Sequence, residues 1–484
     1  MGNINQRRWF CFAFGLLAVL CVSGWAGPAH ALNLLATPQA NDRIAIIAPH
    51  PDDEVLATSG LIQQAVVVGA QVKVIYLTNG DHNQSNFRLY SRHHHITPIP
   101  SMLGLGEQRH NEALAAMQLL GLTADDLTFL GYPDWWTMRL WQDYWEEDEV
   151  LYDNATDSRN VPYQKNYSYQ HPYRAEYVIE DLCKVLREFK PTWVFTTHPC
   201  DANSDHRAAA NFVQLALLQL ESEGLQPTLD FYIVHYPNWP VPLQYHPTVI
   251  MEPPPALQRD NDWLALPLTR EQVERKYQAT MTNATQVVNQ QAFLTAFARA
   301  NELFAMGRIP TIPLLPAQAE LDWSKAIHLQ APAVLPTQSG YETNGVAVLP
   351  TAPPAIDLEA IDFLQQDDAL IAQVELKCQS NQHGNVRWYL FGYKQGTEFA
   401  DLPKVQITIL PDRRVQVVVD HEAVEDSGVT LTGGEPQMIL RVPLKLLGGA
   451  DIDHLFTAAL AYLGATVTDD TAWHLLRFES TPKD

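Results

Sequence analysis

The stretch from Ile44 to Glu54 most constrains what this chain can fold into. Ile44-Ala45-Ile46-Ile47-Ala48 is a short, continuous apolar run that stops abruptly at Pro49-His50-Pro51-Asp52-Asp53-Glu54. A run of this length, closed by prolines, reads as a buried strand. Polar side chains just past its C-terminal end fall where open α/β sheets hold their ligands. One imidazole with several carboxylates is a donor set for zinc or a similar divalent ion, with a carboxylate left over for proton transfer. The competing reading is a helix cap, since carboxylates favour the positive end of the helix dipole. A cap explains one carboxylate, but not three with a histidine and two flanking prolines.

From about residue 43 to 300, apolar strand patterns alternate with helical periodicity. Strands are expected at Arg43–Ala48, Val72–Leu77, Leu127–Leu130, Trp193–Thr196 and Phe231–Val234, and helices at Val55–Val68, Glu107–Leu120, Arg174–Glu188 and Arg207–Leu220. This alternation predicts a Rossmann-like three-layer α/β domain with a mostly parallel sheet. In such an order the first strand lies beside the fourth, at the topological switch point. Two insertions, Asp81–Gly106 with His93-His94-His95 and the Trp- and Tyr-rich Tyr132–Pro172, leave the sheet on the side of the expected site and are placed to shape access to it. The histidine run reads as a solvated loop. Residues 311–357 are Pro-rich and read as a connector. From 358 the period changes to two, as in Val405-Gln406-Ile407-Thr408-Ile409, which predicts a C-terminal antiparallel β-sandwich over 358–484. Trp388 and Trp473 are candidate sugar platforms there.

Residues 1–31 pattern as a signal peptide: Arg7 and Arg8, an apolar run from Trp9, then Ala29-His30-Ala31 as a cleavage site. An uncleaved N-terminal anchor is the alternative. Either way the expected location is periplasmic or extracellular, with no stable membrane span once the leader is removed. The mature chain would hold 30 Lys and Arg against 55 Asp and Glu, a formal charge of −25. That balance repels phosphate backbones, so nucleic acid is not an expected partner. Cys183, Cys200 and Cys378 would remain, an odd number that implies no disulfide framework.

A metal site needs converging ligands from loops that are distant in sequence. The expected strand Trp193–Thr196 runs into His198-Pro199-Cys200-Asp201-Ala202-Asn203-Ser204-Asp205-His206, beside the first loop in the assumed sheet order. His50, Asp53 and His206 are therefore the predicted ligands, leaving an open position as catalytic sites do. Asp52 is the predicted general base. Asp205 reads as a partner of an imidazole or a cap rather than a ligand.

With Arg109-x-x-Glu112 on a helix and Thr78-Asn79-Gly80-Asp81 after the second strand, this constellation resembles the LmbE/PIG-L family of zinc-dependent N-acetylglucosaminyl de-N-acetylases and related amidases. The likeness covers roughly residues 43–290, within a catalytic domain spanning 32–310. It implies that His50, Asp53 and His206 hold zinc, that Asp52 is the base and that Arg109 contacts substrate. Many relatives carry a second histidine three residues before the last ligand, where this chain has Asn203. An amide can donate to an oxyanion but cannot protonate a leaving amine, so Asp52 or His198 must supply that proton. Asp81, Trp135 and Trp136 are further candidate substrate contacts, the tryptophans because aromatic faces stack on sugar rings. Their alternative is to cover a hydrophobic loop core.

The expected function is an exported zinc amidohydrolase, a carbon–nitrogen hydrolase of linear amides. It would remove an N-acyl group, N-acetyl by preference, from an amino-sugar glycan or glycoconjugate. The alternative is a carbohydrate-binding or envelope-interaction protein that keeps the metal site without turnover.

Overall fold

The computed structural model describes residues 32–94, 101–145, 148–259, 261–330, 342–343, 346–347, 356–378, 384–434, 436–464 and 466–479. The leader-like segment, His95 and much of the Pro-rich stretch lie outside the described residues. The central sheet contains β1 (Asn33–Leu34), β2 (Arg43–Ala48), β3 (Gln71–Thr78), β4 (Leu127–Tyr132), β5 (Trp193–Thr197), β6 (Thr228–Tyr232), β7 (Trp263–Pro267) and β8 (Asn301–Met306). Its order is β1-β7-β8-β6-β5-β2-β3-β4. β2 lies parallel between β3 and β5, so the first and fourth predicted strands are neighbours. β8 runs antiparallel to both β6 and β7, which makes the sheet mixed at that edge.

Helices α1 (Asp53–Val68), α2 (Gln84–His93), α3 (Met102–Leu120), α4 (Thr137–Asp143), α5 (Ala175–Phe189), α6 (Ser204–Glu221), α7 (Arg270–Met281) and α8 (Ala284–Leu294) flank it. Local chemistry sets several ends. Ser101 accepts Gly104 N–H to start α3, and Thr269 with Gln272 forms a capping box on α7. The predicted Asp81–Gly106 loop contains α2. That helix is polar on average and is held by packing on α8 rather than by a long apolar stripe, so periodicity did not reveal it.

Strands of 356–478 form two sheets that share a core, with Leu358, Ile361 and Phe363 of one facing Trp388, Leu390 and Ile407 of the other. Pairing within each is antiparallel along the chain, as in Ile356–Gln366 with Ala369–Cys378 and Asn385–Tyr393 with His454–Leu463. The stretch predicted to be a connector supplies edge strands to this domain: Thr311–Ile312 pairs with His474–Phe478, and Leu314–Leu315 and Ile327–Gln330 pair with Ile356–Gln366.

The two domains share a continuous core. Trp141, in the aromatic insertion, packs its ring 5.3 Å from Phe212 of α6 and 5.0, 5.5 and 5.7 Å from Phe456, Phe399 and Trp473 of the β-domain. Trp145 joins the same cluster. Trp141 and Trp145 of the insertion therefore fasten the sandwich to the α/β domain. No helix among the described residues is long and apolar enough to cross a membrane.

Candidate metal centre and its cavity

His50, Asp52 and Asp53 sit on the turn from β2 into α1, and His206 lies in the first turn of α6 after β5. Because β2 and β5 are adjacent, their C-terminal loops meet. His50 Nδ1 is 3.2 Å from Asp53 Oδ2, His206 Nε2 is 3.2 Å from the same oxygen, and the two nitrogens are 3.3 Å apart. These three buried side chains could hold a metal ion. A tetrahedral ion with bonds of roughly 2.0–2.1 Å spaces its ligands by about 3.3 Å, so the triangle already has the required edge.

Carboxylates back both imidazoles. His50 Nε2 lies 3.1 Å from Asp134 and 3.2 Å from Asp205, and His206 Nδ1 lies 3.1 Å from Asp201. A ligating histidine commonly donates its second ring N–H to a carboxylate in this way, which fixes its tautomer and direction. Each carboxylate is itself anchored. Asp205 accepts the N–H groups of Trp135 and Thr137, and Asp201 accepts those of Val234 and His235.

The field is strongly negative. Burial opposes charge on His206, yet Asp201 and Asp53 raise it to about 10. Burial would lift the Asp53 carboxyl, but the His206 and His50 imidazoles override it and hold Asp53 well below the usual range. Such a cluster favours a cation, and the donor set suits a divalent metal ion.

Asp52 is held in a strained backbone, at φ 141°. Its N–H donates to Glu54 Oε2 at 3.0 Å, and Arg109 donates to Pro51 O at 2.7 Å while its guanidinium lies 3.1 Å from Asp52 Oδ1. Burial pushes the Asp52 carboxyl up to about 6 against the pull of Arg109, within reach of proton exchange near neutrality. Arg109 also donates to Gly80 O at 2.8 Å, and Gly80 adopts φ +65° where a Cβ would strike the guanidinium at 2.2 Å. Only glycine fits that approach.

Residues 45–217 match the PIG-L family, described as GlcNAc-PI de-N-acetylase. This stretch is a PIG-L domain. The chain is 27% identical over 203 residues to 1D-myo-inositol 2-acetamido-2-deoxy-alpha-D-glucopyranoside deacetylase of Kribbella flavida, covering 40% of this chain and 61% of the relative, so it spans less than two thirds of that protein. It is 26% identical over 316 residues to the protein of the same description from Corynebacterium urealyticum, covering 60% and 87% respectively. Among solved structures, N,N'-diacetylchitobiose deacetylase from Pyrococcus horikoshii is similar with a TM-score of 0.33 and 19% identity, covering 56% of this chain and 85% of that one.

The cavity at the mouth of the PIG-L domain's centre has a volume of about 450 Å³ and is lined by His50, Asp52, Asp53, Arg109, Trp135 and Asn203 among others. Asn203 caps α6: its Oδ1 accepts Asp205 N–H at 2.8 Å, which leaves its amide nitrogen as the group able to donate. Three predicted site residues fall elsewhere. His198 lines a different cavity, accepts Cys200 N–H on Nδ1 and meets Asn261 through Nε2, because its side chain turns toward β6 and β7 rather than α1. Burial pushes His198 down to about 4, so it is not an acid near neutrality. Asp81 is buried against the Tyr163 hydroxyl at 2.5 Å and does not line the metal cavity. Trp136 lines a neighbouring cavity, and Arg109 is occupied with backbone carbonyls and Asp52, which makes it a positioning group.

The residues that motif reading missed are Asp134 and Asp201, the carboxylates behind the two imidazoles, and a carboxamide wall. In that wall Asn83 donates to Gln286 at 2.9 Å and Asn289 to Asn86 at 2.9 Å. His235 also lines the cavity, with its ring 4.9 Å from His206 and stacked 5.6 Å from Phe293. Its place just beyond β6, on the site side of the sheet, was the available signal.

Proposed function

We propose that this protein is an exported, zinc-dependent N-deacetylase acting on an N-acetylated amino-sugar glycan or glycoconjugate. The carrying observation is the His50–Asp53–His206 triangle opening onto a cavity with Asp52 on its wall. A zinc ion, or another divalent ion suited to two imidazoles and a carboxylate, would supply Lewis acidity toward the amide carbonyl and acidify water.

This chain's own residues do the rest. Asp52, restrained by Arg109 and a strained backbone, accepts a proton from the attacking water. The Asn203 amide donates to the carbonyl oxygen as it gains charge. Asp52 then returns its proton to the departing nitrogen, and the His235 ring, on the wall of the same cavity, stands in place of the histidine that many relatives carry at the Asn203 position. Water adds across the C–N bond to give acetate and a free amine. The amides of Asn83, Asn86, Gln286 and Asn289 present donors and acceptors suited to sugar hydroxyls. The two curated relatives are described as deacetylases of an acetamido sugar, which supports this substrate class. Export rests on the leader pattern of residues 1–31.

Metal analysis and acetate release from a panel of N-acetylated sugars test the reading. Asp52→Asn is expected to keep the metal and lose release. Metal bound with no hydrolysis of any amide would favour the binding-protein reading, which the Asn203 substitution motivates.

A further inference from the structure

A second cavity, of about 380 Å³, adjoins the metal cavity, and His82 and Trp135 line both. Its remaining walls come from distant parts of the chain: Trp136, Arg139 and Gln142 from the aromatic insertion, and Tyr462 and Trp473 from the β-domain. Trp135 is the hinge between the two spaces. It is 43% exposed although its neighbours Trp141 and Trp145 are buried, and it adopts φ +70°, a left-handed conformation that bulky L-residues avoid. Its N–H donates to Asp205 Oδ2 at 2.6 Å, and the same oxygen lies 3.2 Å from His50 Nε2. One carboxylate thus holds both the Trp135 backbone and the His50 imidazole. Backbone strain that the surroundings over-determine points to a functional position.

The β-domain side is equally ordered. Trp473 is buried and packs 5.5 Å from Tyr389 and 5.7 Å from Trp141, and Arg387 lies over the Tyr462 ring at 5.1 Å. Aromatic faces with a polar rim of Arg139 and Gln142 match a pyranose, which is apolar across its C–H face and polar around its edge.

We propose that this second cavity is a sugar subsite completed by the C-terminal β-domain, taking the ring linked to the N-acyl amino sugar. The substrate is then an oligosaccharide or glycoside rather than a free monosaccharide. This rests on the N-deacetylase reading of the metal cavity.

The test is calorimetric binding of N-acetylglucosamine and its β1,4-linked dimer to full-length Asp52→Asn protein, chosen so that the ligand survives the titration. The dimer is expected to bind about tenfold more tightly than the monosaccharide, and Tyr462→Ala and Trp136→Ala should each remove most of that gain. Equal affinity for the two sugars, or a gain that survives both substitutions, overturns the subsite. So does a gain produced by lengthening the N-acyl chain instead of the glycan, which would assign the cavity to lipid. Acetate release by the unsubstituted protein is measured separately. Dimer preference without acetate sinks the hydrolase reading and leaves the subsite standing, and acetate without dimer preference does the reverse.

Discussion

Arg207 joins the candidate metal centre to the β-domain: its Nη1 pairs with Asp470 at 2.6 Å while its Nε donates to Asp201 O at 2.5 Å. Arg207 directly follows His206, and Asp201 orders the His206 ring, so a carboxylate of the sandwich braces the loop that carries a candidate ligand. Both side chains of the pair are buried. Removing one partner strands the other charge, which typically costs about 3–5 kcal/mol. Asp470→Ala should lower unfolding stability by roughly that amount in urea titrations and weaken metal retention. Unchanged metal content and midpoint would show that the sandwich does not brace the site.

Asp205 tests the backing of the imidazoles. It touches His50 Nε2 and three donors of the aromatic insertion but belongs to the far side of the ring from the Asp53 triangle. Asp205→Asn should weaken metal affinity by about 10–100-fold, read by competition with a chromogenic chelator. An unaltered affinity would mean that Asp134 alone suffices to orient His50.

Trp141 is the centre of the interdomain core. Trp141→Ala removes a fully buried indole with six aromatic neighbours in the two domains, and a loss of about 3–5 kcal/mol is expected. Because the contact joins the domains, the denaturation curve should also lose cooperativity, with the sandwich and the PIG-L domain melting separately. A single sharp transition at the parental midpoint would refute this.

Asp469 should make stability depend on pH. Burial, with like charge from Asp470 as a lesser cause, pushes its carboxyl up to about 8, while its oxygens accept Leu358 N–H and Asp470 N–H. The native state therefore holds this proton more tightly than the unfolded chain. The contribution is fully present below about pH 4 and is lost as pH rises toward 8. Asp469→Asn should flatten the stability profile in that window relative to the parent. Parallel profiles would rule out the titration.

Much of the site was legible locally. The apolar run before His50, the carboxylates after it and Asp205-His206 at a helix start lie in short segments whose register is set by the strand and helix that flank them, and β2 and β5 appear at nearly the residues that periodicity predicts. Adjacency of those strands follows from the handedness and winding rules of α/β sheets, so the meeting of His50, Asp53 and His206 was within reach. His198 turns away from the His50 cavity because a loop residue's direction depends on what packs against it: β7 and Asn261 gave its ring a partner that no local pattern announces.

The sequence by itself determined the five parallel strands β2 to β6 and the helices α1, α3, α5 and α6 between them, which donors stand at the sheet's carboxyl edge and that a period-two domain follows. Tertiary structure alone decided which carboxylates back each imidazole, that Arg109 serves Asp52 and Gly80, and that Trp141 is core while Trp135 faces the cavities. Hydrogen-bond periodicity and apolar spacing act over a few residues and are written in the chain. Side-chain burial and pairing depend on surfaces brought together from hundreds of residues apart, and Asp470 beside Arg207 exists only once both domains have folded against each other.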